Sequence, residues 1–148
     1  MPHARTQIRD AAVTLLTGLT TTGANIVAGR VWKHDDSKTA VLSVNTNNDT
    51  LVDDQQSLDS KETRSARLVI DGEVRAQADS DATLDLIDAE VQTALMADDT
   101  LGGLVKFLEF VSSEKELSED GDRAAGKVSI EYEFVYRIDR TAPITIIQ

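Results

Sequence analysis

The chain has 148 residues, no cysteine and a formal net charge of −11. That length fits one domain with a real core, burying roughly 68–70% of the surface its unfolded chain exposes. The missing cysteines exclude disulfides and thiolate chemistry, and the acidic balance opposes general nucleic-acid binding, which needs Lys and Arg to displace counterions. Hydrophobic content is ordinary at 41%, but aromatic content is only 4%, so Leu, Ile, Val and Ala must carry the core.

The first expected element is a helix over residues 4–17. Ile8, Ala11, Ala12, Leu15, Leu16 and Leu19 follow the i, i+3, i+4, i+7 spacing. Gly18 suits the left-handed residue that ends a helix. Gly18 and Gly23 also give G-x-x-x-x-G, half of a phosphate-binding loop. That motif continues with Gly-Lys-Ser/Thr, whereas Ala24 and Asn25 follow Gly23 here. The loop also leaves a helix C-terminus, whose partial negative charge disfavours phosphate. A polar connector is the simpler reading.

Strands are expected over 26–32 and 40–46, separated by a polar turn, with the second ending at Asn47-Asn48-Asp49. Residues 50–62 read as an acidic loop carrying Asp53, Asp54, Asp59 and Glu62; loops of that length in a compact domain are usually functional or disordered. Residues 63–78 alternate with period 2. Ala66, Leu68, Ile70, Gly72, Val74 and Ala76 share one face, as in a half-buried strand. Asp71-Gly72 could mark a hairpin, but the alternation keeps its phase through the pair.

A second helix is expected over 83–97, capped by Ser80 or Asp81, with Leu84, Ile87, Val91, Ala94 and Leu95 as its apolar positions. Gly102-Gly103 breaks the chain. A strand over 105–112 and a charged loop over 113–126 follow. Residues 127–138 form the cleanest strand pattern: Val128, Ile130, Tyr132, Phe134, Tyr136 and Ile138 face one way. Residues 140–148 form a tail with three isoleucines. The order α-β-β-β-α-β-β points to an α+β fold, a mainly antiparallel sheet with two helices packed on one face, over a single domain 1–148.

No constellation makes a case for an enzyme. Asp79, Asp81, Thr83, Asp85 and Glu90 have partial calcium-loop spacing, but Leu84 stands where the required glycine belongs. The pairs Asp53-Asp54 and Asp98-Asp99 are neighbours in sequence, so they do not converge as a catalytic dyad must. His3 and His34 lack metal-ligand spacing. No cofactor or metal is expected. No apolar run reaches membrane-spanning length and no secretion signal opens the chain, so a soluble, cytoplasmic origin is expected. Trp32 is the only tryptophan, a core residue or an interface anchor. Ile144, Ile146 and Ile147 would not stay exposed without cost. They form either a last strand of this sheet or a contact with a neighbouring subunit.

Several stretches taken together resemble a family. They are LLTGLTTTGANIVAGRVW, the strand AVLSVNT, the helix LDLIDAEVQTAL, the passage DDTLGGLV and the closing strand IEYEFVY. Their order and spacing resemble the tail terminator, or minor tail protein U-like, family of long-tailed bacteriophages with non-contractile tails. Thr39-Ala40 departs from the proline common there, and the tail after Arg140 is longer. The resemblance implies a homohexameric ring in the virion, at the head-proximal end of the tail. Such a ring caps the tail tube, stops polymerisation and joins the neck or head-completion protein. DNA would pass through its lumen without specific binding, and no membrane is involved. Asp53, Asp54 and Asp59 would then face lumen or tube. Trp32, Ile144, Ile146 and Ile147 would make subunit or neck contacts. Another head–tail connector or tail-completion protein, and a small α+β ligand-binding domain or enzyme, are the alternatives.

Overall fold

A computed structural model describes residues 2–29, 40–52, 61–75, 80–120 and 123–147. The elements are α1 (Ala4–Leu16), β1 (Ile26–Ala28), β2 (Ala40–Leu51), β3 (Lys61–Arg75), α2 (Ser80–Ala97), β4 (Phe107–Asp120), β5 (Arg123–Asp139) and β6 (Ala142–Ile146). They make one sheet in the order β1-β2-β3-β5-β4, with β6 also paired to β5. Only β1 runs parallel to its neighbour β2; the other pairings are antiparallel. This is the expected α+β fold with one more strand, made by the tail.

The sheet is built on the β3–β5 ladder, which runs unbroken from Lys61 opposite Asp139 to Arg75 opposite Ala125. That register puts even-numbered residues of both strands on one face. Ala66, Leu68, Ile70 and Val74 of β3 thus meet the buried row Val128, Ile130, Tyr132, Phe134, Tyr136 and Ile138 of β5. Ala40, Leu42 and Val44 extend the face across β2. Both helices lie on it. Ala4, Ile8, Ala12 and Leu16 of α1, and Leu84, Ile87, Val91 and Leu95 of α2, complete one hydrophobic cluster.

Asp71-Gly72 is not a turn. Gly72 pairs with Leu42 on one side and Val128 on the other, in mid-strand. Its bare Cα lets α2 approach: a Cβ there would lie 2.9 Å from Ile87 Cγ2 and 3.1 Å from Val128 Cγ1.

Two expected loops are strand. β2 does not end at Asn47-Asn48-Asp49. It passes through them with a register shift between Asn47 and Thr50, and Asn48 takes a positive φ of 55°. Residues 113–120 belong to β4 and pair with β5, after a second shift between Phe110 and Ser112. Each bulge inserts a residue and so reverses which residues face the helices. A strict period-2 reading therefore loses the strand at that point. In β4 the helix-facing residues become Ser113 and Lys115, which bond α2 carboxylates and not the core. The second helix begins at Ser80, so Ser80 and Asp81 lie within its first turn.

Turn geometry accounts for the glycine passages. Gly18 has φ 93° at the end of α1, as its position suggested. After α2, Leu101, Gly102 and Gly103 are left-handed in succession (φ 50°, 71° and 88°), and Asp98 ties the turn by accepting from the Gly102 N–H at 3.0 Å.

Gly72→Ala is expected to destabilise the fold by about 1–3 kcal/mol, because Ile87 is stiff in its helix and cannot yield cheaply. A shift of the urea midpoint without a change in slope is the expected reading.

Candidate subunit interface

Backbone hydrogen bonds close the G-x-x-x-x-G loop on itself, while the buried Thr22 hydroxyl finds no partner among the described residues. The Gly18 N–H donates to the Gly23 carbonyl at 2.8 Å, and the Gly23 N–H to the Leu19 carbonyl at 2.7 Å. A carboxylate, not a phosphate, meets the loop: the Thr21 N–H donates to Glu90 Oε1 at 2.9 Å, and the Thr21 hydroxyl donates to Glu90 Oε2. Glu90 thus pins the loop to α2 and leaves an apolar groove beside it. The groove has a volume of about 370 Å³ and is lined by Gly18, Leu19, Thr20, Ala89, Glu90, Thr93 and Ala94.

The groove continues an unexpected stripe. Ala82, Leu86, Ala89, Thr93 and Met96 recur every three or four residues on the outward side of α2. Leu86 is 57% exposed and Met96 48%. The helix is therefore apolar on its inner face and largely apolar on its outer one, the pattern of a helix covered on both sides. The sequence contains this second stripe; the inner set simply has the larger side chains.

A second apolar surface lies at the sheet edge. β4 pairs with β5 alone, so its outer edge is unpaired among the described residues. Phe110 and Val111 lie along it, Phe110 on the helix side opposite Tyr132 and 47% exposed, whereas Phe107 pairs with Val135 and lies on the opposite face. Phe110 packs edge-on against Tyr132, with ring centroids 5.8 Å apart. Its phenyl ring is thus held in a fixed orientation. A long edge with exposed aromatics is a template for association.

The sheet face away from the helices is polar. Glu114, Glu116, Lys127 and Ser129 line a shallow cleft of about 180 Å³ on it. Ser65 donates to Glu133 at 2.6 Å. Among the described residues no group of three or more His, Asp or Glu could hold a metal, and no helix is long and apolar enough to cross a membrane. Of the acids with calcium-loop spacing, Asp81 and Asp85 pair with Lys115, and Glu90 serves Thr21.

Asp53, Asp54, Asp59 and Trp32 lie outside the described residues. The isoleucine tail forms a last strand of the chain's own sheet, the first of its two expected outcomes. Ile146 pairs with Ile138 and packs partly buried on the core, while the Ile147 N–H donates to the Arg137 carbonyl at 2.8 Å. Gln7 of α1 holds the strand by donating to the Ile144 carbonyl at 2.7 Å, and the Ile144 side chain stays exposed.

One polar cluster was not anticipated. The β2 bulge turns Asp49 to the helix side of the sheet. There Tyr136 donates its hydroxyl to Asp49 at 2.8 Å, Arg64 Nη1 lies 3.4 Å from Asp49, and Arg64 Nη2 lies 2.8 Å from Glu62. Arg5 of α1 reaches Asp49 at 3.4 Å. Burial weighs against the Arg64 charge, but Glu62, Tyr136 and Asp49 together hold its proton more firmly than usual. Burial, and then the Asp49 carboxylate, push the Tyr136 phenol well above its ordinary range. Burial and Asp88 push Tyr132 up to about 12. The cluster is structural: it seals the end of the core and ties α1 to the base of the β2–β3 connection.

No family model matches this chain, and no curated protein matches it. One solved chain, described as the virion of a native gene transfer agent particle, aligns over 90% of this chain and 92% of its own. The identity is 15% and the TM-score 0.48. Similarity at that level carries no functional conclusion.

Both tyrosines keep their protons in the fold beyond the pH at which the unfolded chain releases them. Their contribution is whole below about pH 10 and is lost as pH rises from there through the raised values. Tyr136→Phe is expected to cost about 1.5–3 kcal/mol at neutral pH, the loss of a hydrogen bond to a charged group. It should also flatten the fall in stability above pH 10, as read from denaturant melts across that range.

Proposed function

We propose that the chain is a bacteriophage virion structural protein, a tail terminator that assembles as a homohexameric ring at the head-proximal end of the tail. The observation that carries the ring is a pair of apolar surfaces left uncovered among the described residues, α2's outer stripe with its groove and the β4 edge. They lie on different elements and differ in shape. A cyclic assembly joins two different patches of each copy, head to tail, until the rotation closes.

The resemblance along the chain supplies the rest of the reading. One face of the ring would bind the last ring of tail tube protein. The other would lack what a further tube ring needs, and would receive the neck or head-completion protein. The role is one of binding without propagation and needs no catalysis. A chain with net charge −11 suits a conduit for DNA, since an acidic wall lets a polyanion pass without gripping it.

Native mass spectrometry with and without tail tube protein tests this. A species of about 97 kDa, six times the 16.1 kDa of one chain, supports the ring. Binding confined to tube ends, with tube growth halted, singles out the terminator. A ring that ignores tube ends points to another neck component. A monomer in both conditions, with no tube binding, overturns the reading.

A further inference from the structure

We infer that the part of the β4 edge beyond its bulge, residues 112–117, takes an extended cationic segment of another protein as an added strand. The inference goes beyond the ring reading and does not depend on it. The bulge divides the edge into a stretch that carries Phe107, Phe110 and Val111 and a stretch that carries carboxylates, so the two can serve different contacts.

The backbone supplies the docking surface. Residues 112–117 pair with β5 on one side, and among the described residues nothing pairs with them on the other. Such an edge presents N–H and C=O groups that an extended chain completes by main-chain hydrogen bonds. Edges are commonly guarded by a proline or by a lysine. This stretch has no proline, and its one lysine is not on guard. Lys115 turns to the helix side, where its ammonium pairs with Asp81 and lies 2.9 Å from Asp85. The side chains left at the edge are Glu114 and Glu116, both exposed and with no hydrogen bond or ion pair among the described residues.

Charge selects the occupant. Beyond the bulge, Ser112, Glu114 and Glu116 lie on the sheet face away from the helices. The ladders set them beside Glu131, Ser129 and Lys127 of β5, and those beside Val69, Asp71 and Glu73 of β3. Within these rows Lys127 is a single cation among five carboxylates, Glu114, Glu116, Glu131, Asp71 and Glu73. A second copy's edge carries the same carboxylates, and like charges facing each other across a ladder repel. A strand with Lys or Arg at alternate positions meets Glu114 and Glu116 as opposite charges instead. Its intervening residues fall on the helix side beside Leu117, which is 57% exposed and favours an apolar neighbour. The occupant is thus a segment that alternates basic and apolar residues.

The test measures binding of labelled peptides to the full chain by fluorescence anisotropy, with hydrogen exchange to locate the contact. The probes are a peptide of alternating lysine and valine, its counterpart of glutamate and valine, and the cationic peptide with its backbone nitrogens methylated. The methylated peptide keeps every charge but cannot donate to an edge. The cationic peptide is expected to bind and to slow amide exchange within residues 112–117, and the other two are expected not to bind. Glu114→Gln with Glu116→Gln should weaken binding by about 3- to 30-fold, as befits the loss of two exposed ion pairs. Both side chains are exposed, so the thermal midpoint should stay near that of the wild type. A cationic peptide that does not bind overturns the inference. Equal binding of the methylated peptide shows adsorption by charge alone and overturns the added strand. Protection confined to another edge overturns the location, and unchanged binding by the double variant overturns the part given to the carboxylates. The oligomeric state of the same samples is read by native mass spectrometry, so failure here leaves the ring reading to its own test.

Discussion

The structure depends on the unbroken pairing of β3 with β5. Fifteen residue pairs in constant phase turn two sequence alternations into one continuous apolar face. A single slip would send Ile130, Tyr132 and Phe134 to the opposite side, so the buried row enforces the register as much as the ladder does. Everything else is arranged around that face. α1 and α2 lie on it, β2 and β4 widen it, and Gly72 removes a side chain so that α2 can sit close. The other face carries charges and hydroxyls among scattered apolar residues such as Val69, Val135 and Phe107, and faces solvent.

Two helices do not roof a sheet of this width. α2 covers β3 and β5 and reaches β4 through the polar contacts of Asp88 to Ser113 and of Asp81 and Asp85 to Lys115, while Leu108 of β4 joins the shared core. Phe110 of β4, packed on Tyr132, stays about half exposed. The same crowding exposes α2 itself. Its larger apolar residues turn inward, and Leu86 and Met96 are left outside. Among the described residues, the uncovered surfaces are thus a consequence of the layer architecture.

Elements with one uninterrupted period were legible in the sequence. β5, β3 and both helices follow from spacing alone, because each buries one face against one layer. The two long misreadings share a physical cause. Asn47-Asn48-Asp49 and residues 113–120 lie at or beyond a bulge, where the phase of the alternation reverses, and both are rich in residues that usually mark turns. The Asp49–Tyr136–Arg64 cluster was hidden for the same reason: only the bulge brings Asp49 to the helix side. The tail was half legible. Three isoleucines demanded a partner, and the partner proved to be β5, with Gln7 of α1 as the second anchor. The outer stripe of α2 was present in the spacing but outweighed by the stronger inner stripe. Its meaning needed the knowledge that nothing in the described chain lies over it.

Charge sets the remaining constraint on assembly. Copies with net charge −11 repel one another, and the repulsion grows with each copy added. In the proposed ring, six copies would be held together chiefly by apolar contacts, such as the groove and outer stripe of α2 offer. Screening at physiological salt shortens the repulsion to about 8 Å, while apolar burial is not weakened by salt. A lumen lined by the same excess of carboxylates would meet DNA with its own counterions in place and offer no purchase for binding. In the proposed ring, the acidity that resists assembly in free solution would be compatible with a conduit once apolar contacts close it.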